Sequence, residues 1–172
     1  MRALCLLTAV LCLTSPAMAE KLVFDHRLSP PLKEVLDQGR AEMVLFDASN
    51  PRYIIDRIAV AGKSAEYWTE ALEIIARTPA KNMKTSADWV AELKREADKL
   101  CPSDMSVIAQ DEASITYQRH SPNCPAERAP VAIYRVIAGK RSMFLLAVLS
   151  RSDLGETARR QWLELLASAH IE

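Results

Sequence analysis

The 172 residues carry 22 Lys and Arg against 22 Asp and Glu, a formal net charge of zero, and so lack the excess basic charge that a nucleic acid or an anionic membrane surface demands. A chain of this length suits one domain, able to bury about 68–70% of its unfolded surface. Only four glycines occur, Gly39, Gly62, Gly139 and Gly155, and no two stand close enough for a phosphate-cradling loop or a dinucleotide fingerprint.

The first residues read as an export signal. Arg2 gives a positive start, Ala3 to Leu13 is apolar apart from Thr8, and Ala17-Met18-Ala19 offers the small residues a signal peptidase needs. Residues 1–19 are expected to be removed before Glu20. A membrane anchor would need about 20 apolar residues, and Thr14-Ser15-Pro16 interrupts this run. A lipid anchor on Cys12 would need a small residue before it, where Leu11 stands. The mature chain is therefore expected in the periplasm or outside the cell, with no membrane insertion.

Cys5 and Cys12 fall in the leader, which leaves Cys101 and Cys124. In an oxidising compartment two thiols of one small domain pair, and closing a loop of this span contributes about 3 kcal/mol. Cys101, His120 and Cys124 also make three metal-ligating side chains, but structural zinc asks for four at tight spacing. Nothing resembles the Cys-x-x-Cys of a redox dithiol. The expectation is a disulfide, with no metal and no other cofactor.

Residues 20–41 read as an N-terminal extension with a short helix: Ser29 caps it, Pro30 suits its first position, Leu32, Val35 and Leu36 form its stripe, and Gly39 closes it. Residues 42–172 read as a single domain. Glu42 to Asp47 and Arg52 to Val60 have strand composition and flank the turn at Ala48-Ser49-Asn50-Pro51, with Ala61-Gly62-Lys63-Ser64 breaking the second strand. Tyr67 to Arg77 fits either a helix or a strand by periodicity. Thr85 or Ser86 caps a helix whose apolar side holds Trp89, Val90, Leu93, Ala97 and Leu100, and Cys101-Pro102 stops it.

Met105 to Gln110 and Ala113 to Arg119 form strands about Asp111-Glu112, followed by a loop from His120 to Pro130 that the disulfide orders. Val131 to Ile137 and Ser142 to Ser150 form a hairpin in which Gly139 supplies a positive φ. The unbroken apolar run Met143 to Leu149 implies a strand covered on both faces. Ser152 or Asp153 caps a closing helix with Glu156 in its first turn and Ala158, Trp162, Leu165, Leu166 and Ala169 on one side. The order of elements predicts an α+β fold, a mostly antiparallel sheet of about six or seven strands flanked by helices.

Several pieces carry a family resemblance: Gly62 leading to Tyr67-Trp68-Thr69-Glu70, the helix end Leu100-Cys101-Pro102, Ile115-Thr116-Tyr117, Cys124, Ile133-Tyr134-Arg135-Val136-Ile137-Ala138-Gly139-Lys140, and Arg160-Gln161-Trp162. From about Tyr53 to Ile171 the chain resembles exported, uncharacterised bacterial proteins with a PsbP-like α/β/α sandwich. The resemblance implies that Tyr67 to Arg77 is a strand. It brings no catalytic residues.

The chemistry sought in the sequence is mostly missing. There is no Gly-x-Ser-x-Gly elbow, and oxidised cysteines are not nucleophiles. His120 and His170 read as surface groups, and Asp25-His26 is a poor dyad because adjacent side chains of an extended segment point opposite ways. Trp68, Trp89 and Trp162 read as core. The preferred expectation is a non-catalytic exported domain that binds a cell-envelope or secreted protein. The alternative is a small hydrolase or small-ligand-binding protein whose site gathers distant polar groups such as Asp56, Arg57, His120 and Arg135.

Overall fold

The computed structural model describes residues 20–28, 32–38, 40–47, 49, 53–125 and 129–172. The leader, Ser29-Pro30, Gly39, Arg52 and all of the 48–51 turn except Ser49 lie outside them. In chain order the elements are β1 (Leu22–Val23), α1 (Leu32–Gln38), a 3-10 turn (Ala41–Met43), β2 (Val44–Asp47), β3 (Ile54–Gly62), β4 (Trp68–Arg77), α2 (Ser86–Leu100), β5 (Asp104–Gln110), β6 (Ser114–His120), β7 (Val131–Ala138), β8 (Met143–Ser150), α3 (Glu156–Ser168) and β9 (His170–Ile171). No helix among the described residues is long and apolar enough to cross a membrane.

Seven strands form one antiparallel sheet in the order β2-β3-β4-β8-β7-β6-β5. Two meanders build it, β2–β4 and β5–β8, and α2 carries the chain between them from the sheet centre to its far edge. The meanders meet where β4 pairs with β8, from Glu70↔Ser150 to Arg77↔Met143. The fold is α+β with a mostly antiparallel sheet, as its pattern of elements predicts.

Alternation along the strands gives the sheet two apolar faces. On one face Leu72, Val148 and Ile133, which are neighbours across the strands, pack with Trp162, Leu165 and Leu166 of α3. On the other, Leu145, Val136 and Ile115 pack with Trp89 and Val90 of α2. Both tryptophans are fully buried. Met143 to Val148 is buried throughout, which is why β8 is an unbroken apolar run. Tyr67 to Arg77 was ambiguous for a related reason: β4 sits mid-sheet and carries apolar residues on both sides. A third cluster joins Val35 of α1 to Met43, Ala59, Trp68, Ala71 and Ala129.

Local chemistry sets the ends. Thr85 caps α2 by accepting the Asp88 N–H at 3.1 Å, and the Asp88 carboxylate accepts the Thr85 N–H at 3.0 Å, a reciprocal capping box. Cys101 ends the helix and lies at disulfide distance from Cys124, with Cα atoms 5.6 Å apart.

Four local expectations need correction. β3 does not break at Ala61 but runs to Gly62, whose φ of +117° and approach to the β4 backbone exclude a side chain: a Cβ there would lie 2.5 Å from Tyr67 O. Gly139 does not have a positive φ; it is small because a Cβ would overlap the Glu20 carboxylate. Neither Ser152 nor Asp153 caps α3, because the helix starts later, at Glu156, with Gly155 at the cap position. Leu100 ends α2 at 55% exposure rather than in the core. The small sheet in which β1 pairs with β9 has no signature in the residue pattern, since two-residue strands carry no period.

Candidate functional site

The four polar residues singled out in the sequence do not share a site. Asp56 and Arg135 lie on one face of the sheet and in one cross-strand row, Asp56-Ile74-Leu146-Arg135, but three strand spacings separate them, about 14 Å. Arg135 donates from Nη1 to Thr116 Oγ1 at 3.2 Å; burial pulls its pKa down and Asp111 opposes that shift. Arg57 points to the opposite face, where its Nε and Nη2 reach Glu73 Oε2 at 3.0 and 2.5 Å. His120 is exposed at the end of β6 and borders an open cleft of about 510 Å³ with Asp153 and Arg159.

His26 finds a partner that its neighbours in sequence did not reveal. Its Nε2 lies 3.0 Å from Asp37 Oδ1 on α1, while its buried Nδ1 has no partner among the described residues. The pair borders an open cleft of about 820 Å³ that also includes Arg27, Lys33 and Glu164. The hydroxyl in that cleft belongs to Ser168, and it is engaged with the backbone: Oγ lies 2.8 Å from Asp25 O and 2.7 Å from Leu165 O and accepts the Asp25 N–H at 2.9 Å. Its proton is thus directed at a carbonyl rather than at the imidazole, so the cleft holds a His–Asp pair without an activated nucleophile. Among the described residues no three His, Cys, Asp or Glu side chains are grouped to hold a metal ion.

A largely apolar concavity lies between α2 and the β5 end of the sheet. It has a volume of about 220 Å³; its apolar walls are Leu93, Ala97, Leu100, Met105, Tyr117 and Tyr134, and Lys94, Glu96, Ser103 and Arg119 add polar groups to its lining. The walls follow from the two periods of the elements that face it. Leu93, Ala97 and Leu100 are three or four residues apart on α2 and share one face, while Met105, Tyr117 and Tyr134 project from neighbouring strands. The tyrosine rings stack with centroids 4.9 Å apart, and the Arg119 guanidinium lies 6.0 Å from the Tyr134 ring. Burial pushes the Tyr117 phenol far above its ordinary pKa, Tyr134 adds to this, and Arg119 only partly offsets it, so Tyr117 is a neutral wall.

Two features make this groove a candidate for binding. β5 is the last strand of the sheet, so its outer side pairs with no strand among the described residues. From Met105 to Gln110 it carries no charge and no proline, the devices that ordinarily blunt an exposed edge, although a register shift between Val107 and Ala109 bends it. Val107 and Ile108 are 55% and 38% exposed. Leu100, which lines the groove, is followed by Cys101 at the end of α2, so the bridge to Cys124 fixes where the helix stops and where Leu100 stands.

Sequence reading placed Tyr117, Tyr134 and Arg119 on strands but found no site in them; their strands are neighbours in space, and no spacing in the chain reports that. No protein-family model matches the chain, and no curated protein matches it.

Proposed function

We propose that this chain is an exported, non-catalytic binding domain that captures an extended segment of a cell-envelope or secreted protein along the outer edge of β5. The partner's backbone would add a strand to the sheet, and one of its apolar side chains would enter the groove beside Leu100, Tyr117 and Tyr134. The observation that carries this reading is the contiguity of an outermost strand, uncharged from Met105 to Gln110, with a largely apolar pocket of side-chain size. Removal of residues 1–19, residence in the periplasm or outside the cell, and kinship with the PsbP-like sandwiches belong to the same proposal; the leader pattern and the paired cysteines support the first two.

A photo-crosslinking residue in place of Val107, introduced in the native host, tests the surface. The expected result is a defined adduct with one envelope or secreted protein, lost when Ile108→Lys is added and absent when the probe replaces Lys63 at the opposite end of the sheet. An extended peptide from the captured protein should then bind the purified domain, with affinity reduced at least tenfold by Ile108→Lys. Equal labelling from both probe positions, or peptide binding indifferent to Ile108→Lys, overturns the reading. Intact mass of the natural protein checks processing, which should leave Glu20 first.

A further inference from the structure

The turn between β7 and β8 presents three consecutive backbone donors to one carboxylate. Glu20 Oε1 accepts the Lys140 N–H at 2.9 Å, and Oε2 accepts those of Arg141 at 3.0 Å and Ser142 at 2.7 Å. Such a run of converging amides is an anion nest, and hydrogen bonds to an ionised acceptor are among the stronger ones. The Gly139 N–H to Ser142 O bond, 2.8 Å, closes the turn around it. Gly139 is part of the same device: a Cβ there would overlap the Glu20 carboxylate and lie 2.9 Å from Ile171 Cδ1.

Glu20 begins an arm that is tied down at further points. Lys21 exchanges both backbone hydrogen bonds with Glu172 at 3.0 and 2.9 Å, β1 pairs with β9, and Ser168 holds Asp25. Beyond these ties, His26 and Arg27 wall the 820 Å³ cleft, and Leu28 is buried in the α3-side core.

We propose that the β7–β8 turn is a receptor for a carboxylate, filled in cis by Glu20, and that this contact is the latch that seats the N-terminal arm and completes the His26 cleft. With the latch engaged the arm is part of the sheet's α3 side; with it released, the wall of the cleft detaches from its far end. Burial raises the Glu20 carboxyl most among the single influences, but the backbone hydrogen bonds from Arg141, Ser142 and Lys140 together with Coulomb attraction from Arg141 outweigh it and hold the group below its ordinary pKa, so the latch is anionic at neutral pH. The inference is independent of what the β5 edge binds and requires only that the natural protein retain Glu20.

A double-mutant cycle on the protein expressed with its full chain tests it. Glu20→Ala is expected to lower Tm by roughly 2–4 °C and to speed amide exchange at Lys140, Arg141 and Ser142 about tenfold, with Leu22 and Val23 loosened in parallel. Glu20→Gln, which keeps the size of the side chain, should give a smaller change in the same amides. Gly139→Ala should cost a similar Tm in the natural background and clearly less in the Glu20→Ala background, because the overlapping carboxylate is gone. Additive losses across the cycle, unchanged exchange at residues 140–142 in Glu20→Ala, or a mature N-terminus downstream of Glu20 overturns the latch.

Discussion

Thr85 and Asp88 show how two side chains start an element. Four N–H groups at a helix start lack intrahelical partners; here the Thr85 hydroxyl takes that of Asp88, while Asp88 Oδ2 accepts those of Lys84 and Thr85, each at 3.0 Å. Thr85→Ala is expected to destabilise the domain by about 1 kcal/mol, measured by urea unfolding at neutral pH. The Lys84 and Thr85 amides, with the Thr85 hydroxyl, hold the Asp88 carboxyl below its ordinary value of 3.8. A carboxyl whose pKa falls on folding stabilises in full above its unfolded pKa and loses that contribution as pH drops through the folded one. The stability gap between the natural protein and Asp88→Asn should therefore be widest near neutrality and close below pH 3.8; a gap that persists unchanged in acid would refute the assignment. Thr85 was legible as a cap because its partner is three residues away. Gly139 was legible as a special position but not for its reason, since the group it accommodates, Glu20, is more than a hundred residues distant in the chain. For His26 the expectation that the adjacent Asp25 is a poor partner agrees with the structure, while its actual acidic partner, Asp37, eleven residues on, was not legible because α1 has to fold back to bring it there.

Among the elements, α2 carries the most consequences, because it links the meanders, covers one face of the sheet and forms one wall of the groove. Its C-terminal end is fixed by the Cys101–Cys124 pair. Replacing both cysteines by serine should cost about 3 kcal/mol by loop-closure entropy, seen as a Tm lower by about 6–12 °C. Reductant should lower the natural protein to the same Tm and leave the variant unmoved. Helix and strand identities were recoverable wherever one face is buried, as in α2 and α3, and wherever an unbroken apolar run signals burial on both sides, as in β8. For β4 the residues alone allowed two periods, and only its place between β3 and β8 makes the strand unavoidable. The groove could not be read at all: Tyr117 and Tyr134 are seventeen positions apart and become a stacked pair only through the β6–β7 register.

At the scale of the molecule, two local meanders are joined by one long-range pairing, β4 with β8, in which Leu72 faces Val148. Contacts this distant in sequence close late, after the hairpins that cost less loop entropy. The overall class was visible in the number and order of elements, whereas the strand order, with β8 inserted beside β4, follows from burying two apolar faces at once. That seam also means the polypeptide is divisible. Between Arg77 and Thr85 the chain runs through a short connection with a single small bridge, Ala80 to Met83, in which Met83 is buried against the α2 side while Lys81 and Asn82 are exposed, so two separately produced halves, cut at Lys81-Asn82, each retain a complete meander with β4 or β8 at its margin. Mixed together, they are expected to reconstitute one body by zipping those margins, detectable as a 1:1 species by light scattering and by recovery of buried-tryptophan fluorescence, and Ile74→Pro in the first half, which removes a ladder N–H of the β4 margin, should abolish the reunion without touching the second half.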